Sequence, residues 1–455
     1  MALQLILGSS GSGKSYRLYK KMISESMEKP ENNYLIIVPE QFTLQTQKDI
    51  VTMHPNHGTM NIDILSFMRL AYRVFDEVGG NDIPVLEDTG KSMVLRKIIT
   101  KHKKELELFQ HDVQKQGFIN ELKSLISEIF QYSITEDKLK EMEALAANRP
   151  MLQSKLHDII IIYQGFKDFL REKYITAEEI LDVLCQVIDK SELISGSVVC
   201  LDGFTGFTPA QYQLLTILMK KAKQVLITVT IDPREDITQA DEEYKLFHLS
   251  KKTISRLMTI AEEEGIKIDK PFYAENEMQV PFRYRNSKAL AALEHNIFRY
   301  PIKCYEAEQE NISIHAARDR KQEVQFVVRE IKHLIREEQY RYKDIAVVTG
   351  DIGNYGRLLG QEFDKAGIPC FIDHKRDLMA NPFIEFLRST LDIMKKDFDY
   401  ESVFRYLRSG MANESQEDVD ILENYIIALG IRGHKRWQTE WTRVYRGQKE
   451  GELTR

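Results

Sequence analysis

The run GSSGSGKS, Gly8 to Ser15, stands directly behind the apolar stretch LQLIL, Leu3 to Leu7. A strand, a glycine-rich turn and a helix in immediate succession leave few folds open, because each part sets the geometry of the next. Gly8, Gly11 and Gly13 allow backbone angles closed to other residues, so that successive N–H groups, those of Ser9, Ser10 and Ser12 among them, can converge on one anion. Lys14 brings a cation to terminal phosphate oxygens, and the Ser15 hydroxyl is a ligand for Mg²⁺. Behind them Leu18, Met22 and Ile23 recur at helical spacing and Pro30 closes the helix. The bland alternative is a flexible Gly/Ser loop; with both flanks counted, Gly8 to Ser15 reads as a nucleotide phosphate cradle.

The pattern continues as strand-then-helix units. YLIIVPEQFTLQTQKDI from Tyr34 is a buried strand, an exit at Pro39 and a helix; NIDILSFMRLAYRVF holds a strand at Ile62–Leu65 and a helix from Ser66. Such βα units build a parallel sheet. Between about Asp88 and Glu192 the period changes to helical, with Leu122, Leu125, Ile126, Ile129 and Phe130 on one face and a second helix over His157–Tyr174. Strands resume at Ser197–Phe204 and Gln224–Asp232, and a charged stretch containing RYRNSK follows. A second α/β unit is expected from NISIHAA (Asn311–Ala317), a helix over Gln322–Glu338, then the strands DIAVVTG (Asp344–Gly350) and GIPCFID (Gly367–Asp373); from Asn381 the text is helical again.

With 455 residues, several domains are expected, and 43% hydrophobic with 29% charged residues describe a globular chain with ample core. No apolar run approaches a membrane span, and Met1 leads straight into the first strand, which points to a cytoplasmic protein. Cys185, Cys200, Cys304 and Cys370 are scattered without a CxxC pair, as reduced thiols are, and the eleven histidines form no HExxH or other metal spacing. A net charge of −6 means that nucleic-acid binding has to come from local surfaces. The basic runs Lys101–Lys104, Lys220–Lys223 and Arg432–Lys449 are candidates, although such runs are more often solvated helix faces. The closing residues GQKEGELTR bring no capping element, which suggests a piece of a longer design.

A phosphate cradle that holds Mg²⁺ needs an acid. VVCLD puts Asp202 at the carboxyl end of a buried strand, the place for a carboxylate that holds the ion through water, and the next residue is Gly203, which can neither orient nor deprotonate a water.

LDGFTGFTPAQ, Leu201 to Gln211, resembles the second nucleotide motif of superfamily 1 helicases of the UvrD/Rep type, with Asp202, Phe204 and Gln211 in register. SFMRLAYR (Ser66–Arg73) resembles their DNA-contacting motif, and RDRKQEVQFVVREI with DIAVVTGDIGNYGRLLGQEFDKAGIPCFID resembles the opening of their second motor domain. Together PEQFT, SFMRLAYR, LDGFTGFTP, YRYKDIAVVTGD and GIPCFIDHKRDL look like the B-subunit family of AddAB (RexAB) helicase–nucleases, along essentially the whole chain. The resemblance implies an α/β fold of tandem RecA-like P-loop motor domains with helical insertions. It divides the chain into a first motor domain over 1–87 and 196–300, an insertion at 88–195, the start of a second motor domain at 301–380, and the start of another insertion at 381–455. It also implies ATP and Mg²⁺ as ligands, DNA ends and single strands as substrate, an A-subunit helicase–nuclease as partner, and a place at the bacterial nucleoid. The nuclease domain and 4Fe–4S cluster of that family belong to a second half to which no residue here corresponds.

The departures from a working helicase run in one direction. Gly203 stands at the place of the water-positioning Glu, Gly350 at that of a phosphate-sensing Arg, TIDPREDITQ lacks the Gly-Asp…Gln coupling box, and seven residues before Gly8 leave no room for an adenine-reading Gln motif. ATP is therefore expected to be held and turned over poorly or not at all. Single-stranded DNA is expected along the carboxyl-edge loops, at Gln41, Thr43, Phe67, Arg69, Tyr72 and Phe207, by stacking and base-edge hydrogen bonds, and the resemblance implies scanning for the recombination hotspot sequence Chi. Ordinary packing is the rival reading for Phe67 and Tyr72. For the whole chain the rivals are an active helicase, a P-loop kinase or transferase, and a scaffold with a vestigial P-loop.

Overall fold

A computed structural model describes residues 1–78, 84–111, 115–171, 173–238, 242–274, 280–373, 378–379 and 381–442. The chain forms two compact units, Met1–Ser313 and Ile314–Arg455; the division falls at 313–314, where the sequence suggests a boundary at 300–301.

In the first unit β1 (Ala2–Gly8) runs through the glycine turn into α1 (Lys14–Glu28). Next, β2 (Tyr34–Ile37) reaches α2 (Thr43–Met53) through the 3₁₀ turn Glu40–Phe42, and β3 (Ile62–Leu65) is followed by α3 (Phe67–Val78). A helical stretch follows: β4 (Val85–Leu86), α4 (Asp88–Lys101), α5 (Gln116–Gln131), α6 (Glu136–Leu145), α7 (Pro150–Leu170), β5 (Ile175–Thr176) and α8 (Ile180–Val187). The sheet resumes with β6 (Val198–Leu201), α9 (Pro209–Lys221), β7 (Gln224–Thr230), α10 (His248–Glu263), β8 (Lys267–Ile268), β9 (Phe272–Tyr273) and α11 (Lys288–Asn296).

Among the described residues seven strands make one parallel sheet in the order β3-β2-β6-β7-β1-β8, with β9 also on β1. Helices cover both faces, so the central strands are near-continuous apolar runs, as Tyr34-Leu35-Ile36-Ile37 of β2 and Val198-Val199-Cys200-Leu201 of β6 illustrate. Alternation still sorts the side chains. Leu35, Ile37, Val199, Leu201, Val225 and Ile227 pack with α3, α8, α9 and α10, whereas Ile6, Ile36, Cys200 and Leu226 meet Leu18 and Met22 of α1. The helical stretch has a core of its own, built around Leu95, Ile99, Ile119, Ile162 and Phe166. One feature of it escapes the sequence: Val85 and Leu86 pair with Ile175 and Thr176, a two-residue ladder too short to show a period.

The second unit contains α12 (Arg320–Arg336), α13 (Ile352–Ala366), α14 (Pro382–Lys395), α15 (Tyr400–Leu407), α16 (Gln416–Leu429) and α17 (His434–Trp437). The expected strands at 311–317, 344–350 and 367–373 are not hydrogen-bonded strands among the described residues. Ile345, Ile368 and Ile372 do pack on Val324, Ile331, Leu359 and Phe363, but Ile314, Val348 and Phe371 are about nine-tenths exposed or more, at 97%, 91% and 89%. Propensity favours extended backbone in each segment, yet a strand exists only when a neighbour takes its hydrogen bonds. No described helix is long and apolar enough to cross a membrane.

Candidate nucleotide site and DNA-facing edge

Gly8 ends β1, Ser9 to Ser12 turn, and Gly13 is the N-cap of α1, so Lys14 and Ser15 lie in the first helical turn. The helix begins with N–H groups unused by the helix itself, the usual setting for an anion. The Lys14 ammonium is folded back onto the carbonyls of Gly8 at 2.9 Å and Ser9 at 2.8 Å. Ser10 is exposed, while Ser12 is buried at 5% exposure and its Oγ has no hydrogen-bond partner. A buried hydroxyl left unsatisfied costs about 1–3 kcal/mol. A bound phosphate oxygen would satisfy it, so the loop fits the group its sequence implies.

The cation side is assembled by the sheet. β7 separates the P-loop strand from β6, whose end at Leu201 leads directly into Asp202, yet Ser15 Oγ on α1 donates to Asp202 Oδ1 at 3.1 Å. Thr228 on the intervening strand donates to the same oxygen at 2.6 Å, and the Tyr19 hydroxyl donates to Oδ2 at 2.7 Å. Burial, and then the Asp202 charge, raise the Tyr19 pKa well above a phenol's ordinary value, so the hydroxyl stays a donor. Ser15 and Asp202 are the residues that can hold Mg²⁺ together with phosphate oxygens. Among the described residues no group of three or more His, Cys, Asp or Glu forms another metal site.

Gly203 follows Asp202 with φ +80°, a left-handed conformation that side-chain-bearing residues rarely adopt. A side chain there would come within 3.6 Å of Pro39 and 3.8 Å of Phe42, in ordinary contact. The absence of an acid beside Asp202 is thus written into the backbone as well as into the residue type. Further along, Gln211 acts locally, closing a capping box with Thr208 at the start of α9, with Pro209 in the first turn. Asp232, in the stretch that lacks a coupling box, is buried beneath Arg234 and Arg299, each 2.5 Å away.

The expected DNA contacts divide into two groups. Gln41 is exposed on the 3₁₀ turn, Tyr72 is 48% exposed with its ring edge-on to Phe75, and Arg69 is exposed and pairs with Glu40 at 3.3 Å. Phe207 is half-buried, its ring 5.3 Å from Phe204 and 5.6 Å from Tyr212. Phe67 is only 7% exposed, within the same aromatic cluster (5.2 Å to Phe204), and Thr43 is buried with its hydroxyl on the Glu40 carbonyl at 3.0 Å. Neither presents a surface to a base; both hold the edge together. Of the basic runs, Lys220 and Lys221 are paired with Glu264 and Asp189 as a solvated face would be, and residues 443–449 of the third run lie outside the described residues.

Tyr19, Thr228 and Arg283 are not singled out by the sequence. Tyr19 is one helical turn past Ser15, a spacing that could have flagged it. Thr228 looks like any β-branched strand residue. Arg283, on the 3₁₀ turn Phe282–Tyr284, donates its backbone N–H to the Gly11 carbonyl at 3.1 Å and lies so close that a Cβ on Gly11 would come within 2.7 Å of it. Its guanidinium is exposed beside the cradle, a contact between residues far apart in sequence that no local pattern announces.

A parallel sheet with a phosphate loop at one carboxyl edge and a hydroxyl-bonded aspartate across one strand defines a P-loop nucleotide-binding protein. The family model "ADDB, N-terminal" matches residues 5–294, and "UvrD-like helicase C-terminal domain" matches 284–435. The chain is similar to the B subunit of the ATP-dependent helicase/deoxyribonuclease of Lachnoclostridium phytofermentans, 52% identical over 454 residues, covering 100% of this chain and 40% of that protein. The protein of the same name from Clostridium novyi is 37% identical over 441 residues, 97% of this chain and 38% of the relative. The chain belongs to the ADDB family, and it spans about two-fifths of the length of these curated relatives.

Proposed function

We propose that this chain is the ATP- and single-stranded-DNA-binding, helicase-like part of the B subunit of a heterodimeric ATP-dependent helicase/exodeoxyribonuclease that processes double-strand breaks for homologous recombination. Its partner is an A-type helicase–nuclease, and its place is the cytoplasm, at the nucleoid. ATP binds the Gly8–Ser15 loop, where Ser15 and, through water, Asp202 would hold Mg²⁺; when bound, the ion neutralises phosphate charge. The chain holds the nucleotide and turns it over poorly or not at all, while Gln41, Arg69, Tyr72 and Phe207 contact a strand that the partner drives past and scan it for Chi. The nuclease acids and the 4Fe–4S ligands of the family are assigned to no residue of this chain.

The observation that carries the reading is Asp202, held by three hydroxyls beside an intact phosphate loop and followed by a left-handed glycine. The cradle supports binding; the glycine, which carries no acid and whose φ of +80° strains any side chain placed there, supports retention over cleavage. The test is a paired measurement on the purified chain: fluorescent-ATP binding and ATPase rate, each with and without single-stranded DNA. Binding lost in Lys14→Ala with a negligible rate is expected. A strong DNA-stimulated rate abolished by Lys14→Ala would overturn the reading in favour of a live motor.

A further inference from the structure

The Tyr19 hydroxyl does more than satisfy Asp202. Its ring is buried at 7% exposure, and its oxygen lies 2.7 Å from Asp202 Oδ2 and 3.4 Å from the hydroxyl of buried Thr46 on α2. α2 grows directly out of the Glu40–Phe42 turn, which carries exposed Gln41 and the Glu40 partner of Arg69. The other side of that turn is keyed to the same strand end, since Pro39 and Phe42 lie against Gly203. The Asp202–Gly203 pair is therefore linked at two points to the loop that presents Gln41.

A carboxylate offers about four acceptor positions. Three are taken by Ser15, Thr228 and Tyr19. One position is left, so a hydrated cation bound beside Ser15 that brings more than one donor displaces a hydroxyl from Asp202. Ser15 belongs to the cradle and Thr228 to the sheet interior. Tyr19 is the donor whose other neighbour sits on a different element, so a change at Asp202 leaves the site through it.

We propose that Tyr19 is a positioning residue that transmits Mg²⁺-nucleotide occupancy from Asp202 through Thr46 to the Glu40–Phe42 turn, and so sets how tightly that edge holds single-stranded DNA. The inference rests on the nucleotide- and DNA-binding reading above. It supplies a coupling route in a chain without the Gly-Asp…Gln box.

The test reads a ratio: the Kd for a fluorescent oligo-dT strand without nucleotide, divided by that with Mg²⁺ and a non-hydrolysable ATP analogue. A ratio about 5-fold from unity is expected for the unaltered chain, at the modest end of coupling between sites. Tyr19→Phe keeps the ring and removes the hydroxyl, and should bring the ratio to within about 1.5-fold of unity. Thr46→Val should do the same, whereas Thr46→Ser, which restores the hydroxyl, should restore the ratio; a merely structural role would not separate those two. A full ratio in Tyr19→Phe, or in Thr46→Val, overturns the proposal. So does a ratio of one in the unaltered chain when it binds both ligands, whereas failure to bind either ligand overturns the functional reading instead.

Discussion

Ser15 Oγ donates to Asp202 Oδ1 across 3.1 Å, joining the first turn of α1 to the end of a strand 187 positions later. Neither residue is distinctive alone; the sheet makes them a site, because parallel strands put all their carboxyl ends, and the helices that follow them, on one edge.

Removing the charge from Asp202 tests that site. In Asp202→Asn the amide oxygen can still accept from Ser15 and Thr228, the amide NH2 takes the place of the oxygen that accepted from Tyr19, and the cation loses its carboxylate. Nucleotide affinity compared in Mg²⁺ and in EDTA should then show the enhancement by Mg²⁺ fall by about tenfold, the size of one charge-assisted contact.

Lys14→Ala should weaken ATP binding by about 10–100-fold, the loss of one ammonium–phosphate interaction of ~1.5–3 kcal/mol. Titration with a fluorescent ATP analogue reads it. Arg283→Ala, which removes an exposed guanidinium beside the loop, should weaken binding by a smaller factor, about 2–5-fold.

An acid placed at position 203 is expected not to raise ATP hydrolysis. Gly203→Glu forces a side chain onto a backbone at φ +80°, at a cost of about 1–2 kcal/mol, so the expected result is a strained site and not a well-positioned carboxylate. A thermal melt should show the destabilisation and a phosphate-release assay no gain in rate; a gain would refute the backbone argument.

Arg69→Ala removes one cation and the exposed pair with Glu40. Stability should change by less than about 0.5 kcal/mol. The slope of log affinity for single-stranded DNA against log salt should become shallower by about 0.7, the share of one phosphate contact.

Asp232 governs part of the acid stability. Its burial works against the charge, but hydrogen bonds from the Arg234 guanidinium and backbone N–H and from Arg299 prevail and hold the carboxyl down at about 2, below its ordinary 3.8. A lowered folded-state pKa means stability present above pH 3.8 and lost as pH falls from there through about 2. Melting temperature followed across that window should fall more steeply in the unaltered chain than in Asp232→Asn.

The phosphate loop, the strand leading to Asp202, the βα order of the first unit and the helical stretch inserted in it were all legible in the residues alone, because each is a local pattern of apolar period and turn chemistry. So was the lack of an acid at Gly203. Whatever depends on distant residues meeting came from the folded chain. Folding placed Tyr19 and Thr228 on Asp202, set Arg283 against Gly11, and turned Phe67 and Thr43 inward while leaving Gln41, Arg69 and Tyr72 exposed. It also left the apolar segments at 311–317, 344–350 and 367–373 without strand partners among the described residues. An aromatic residue at a helix start reads the same whether it faces base or core, and an extended apolar segment reads the same with or without a neighbour, since burial and pairing are properties of the folded surroundings and not of the residue.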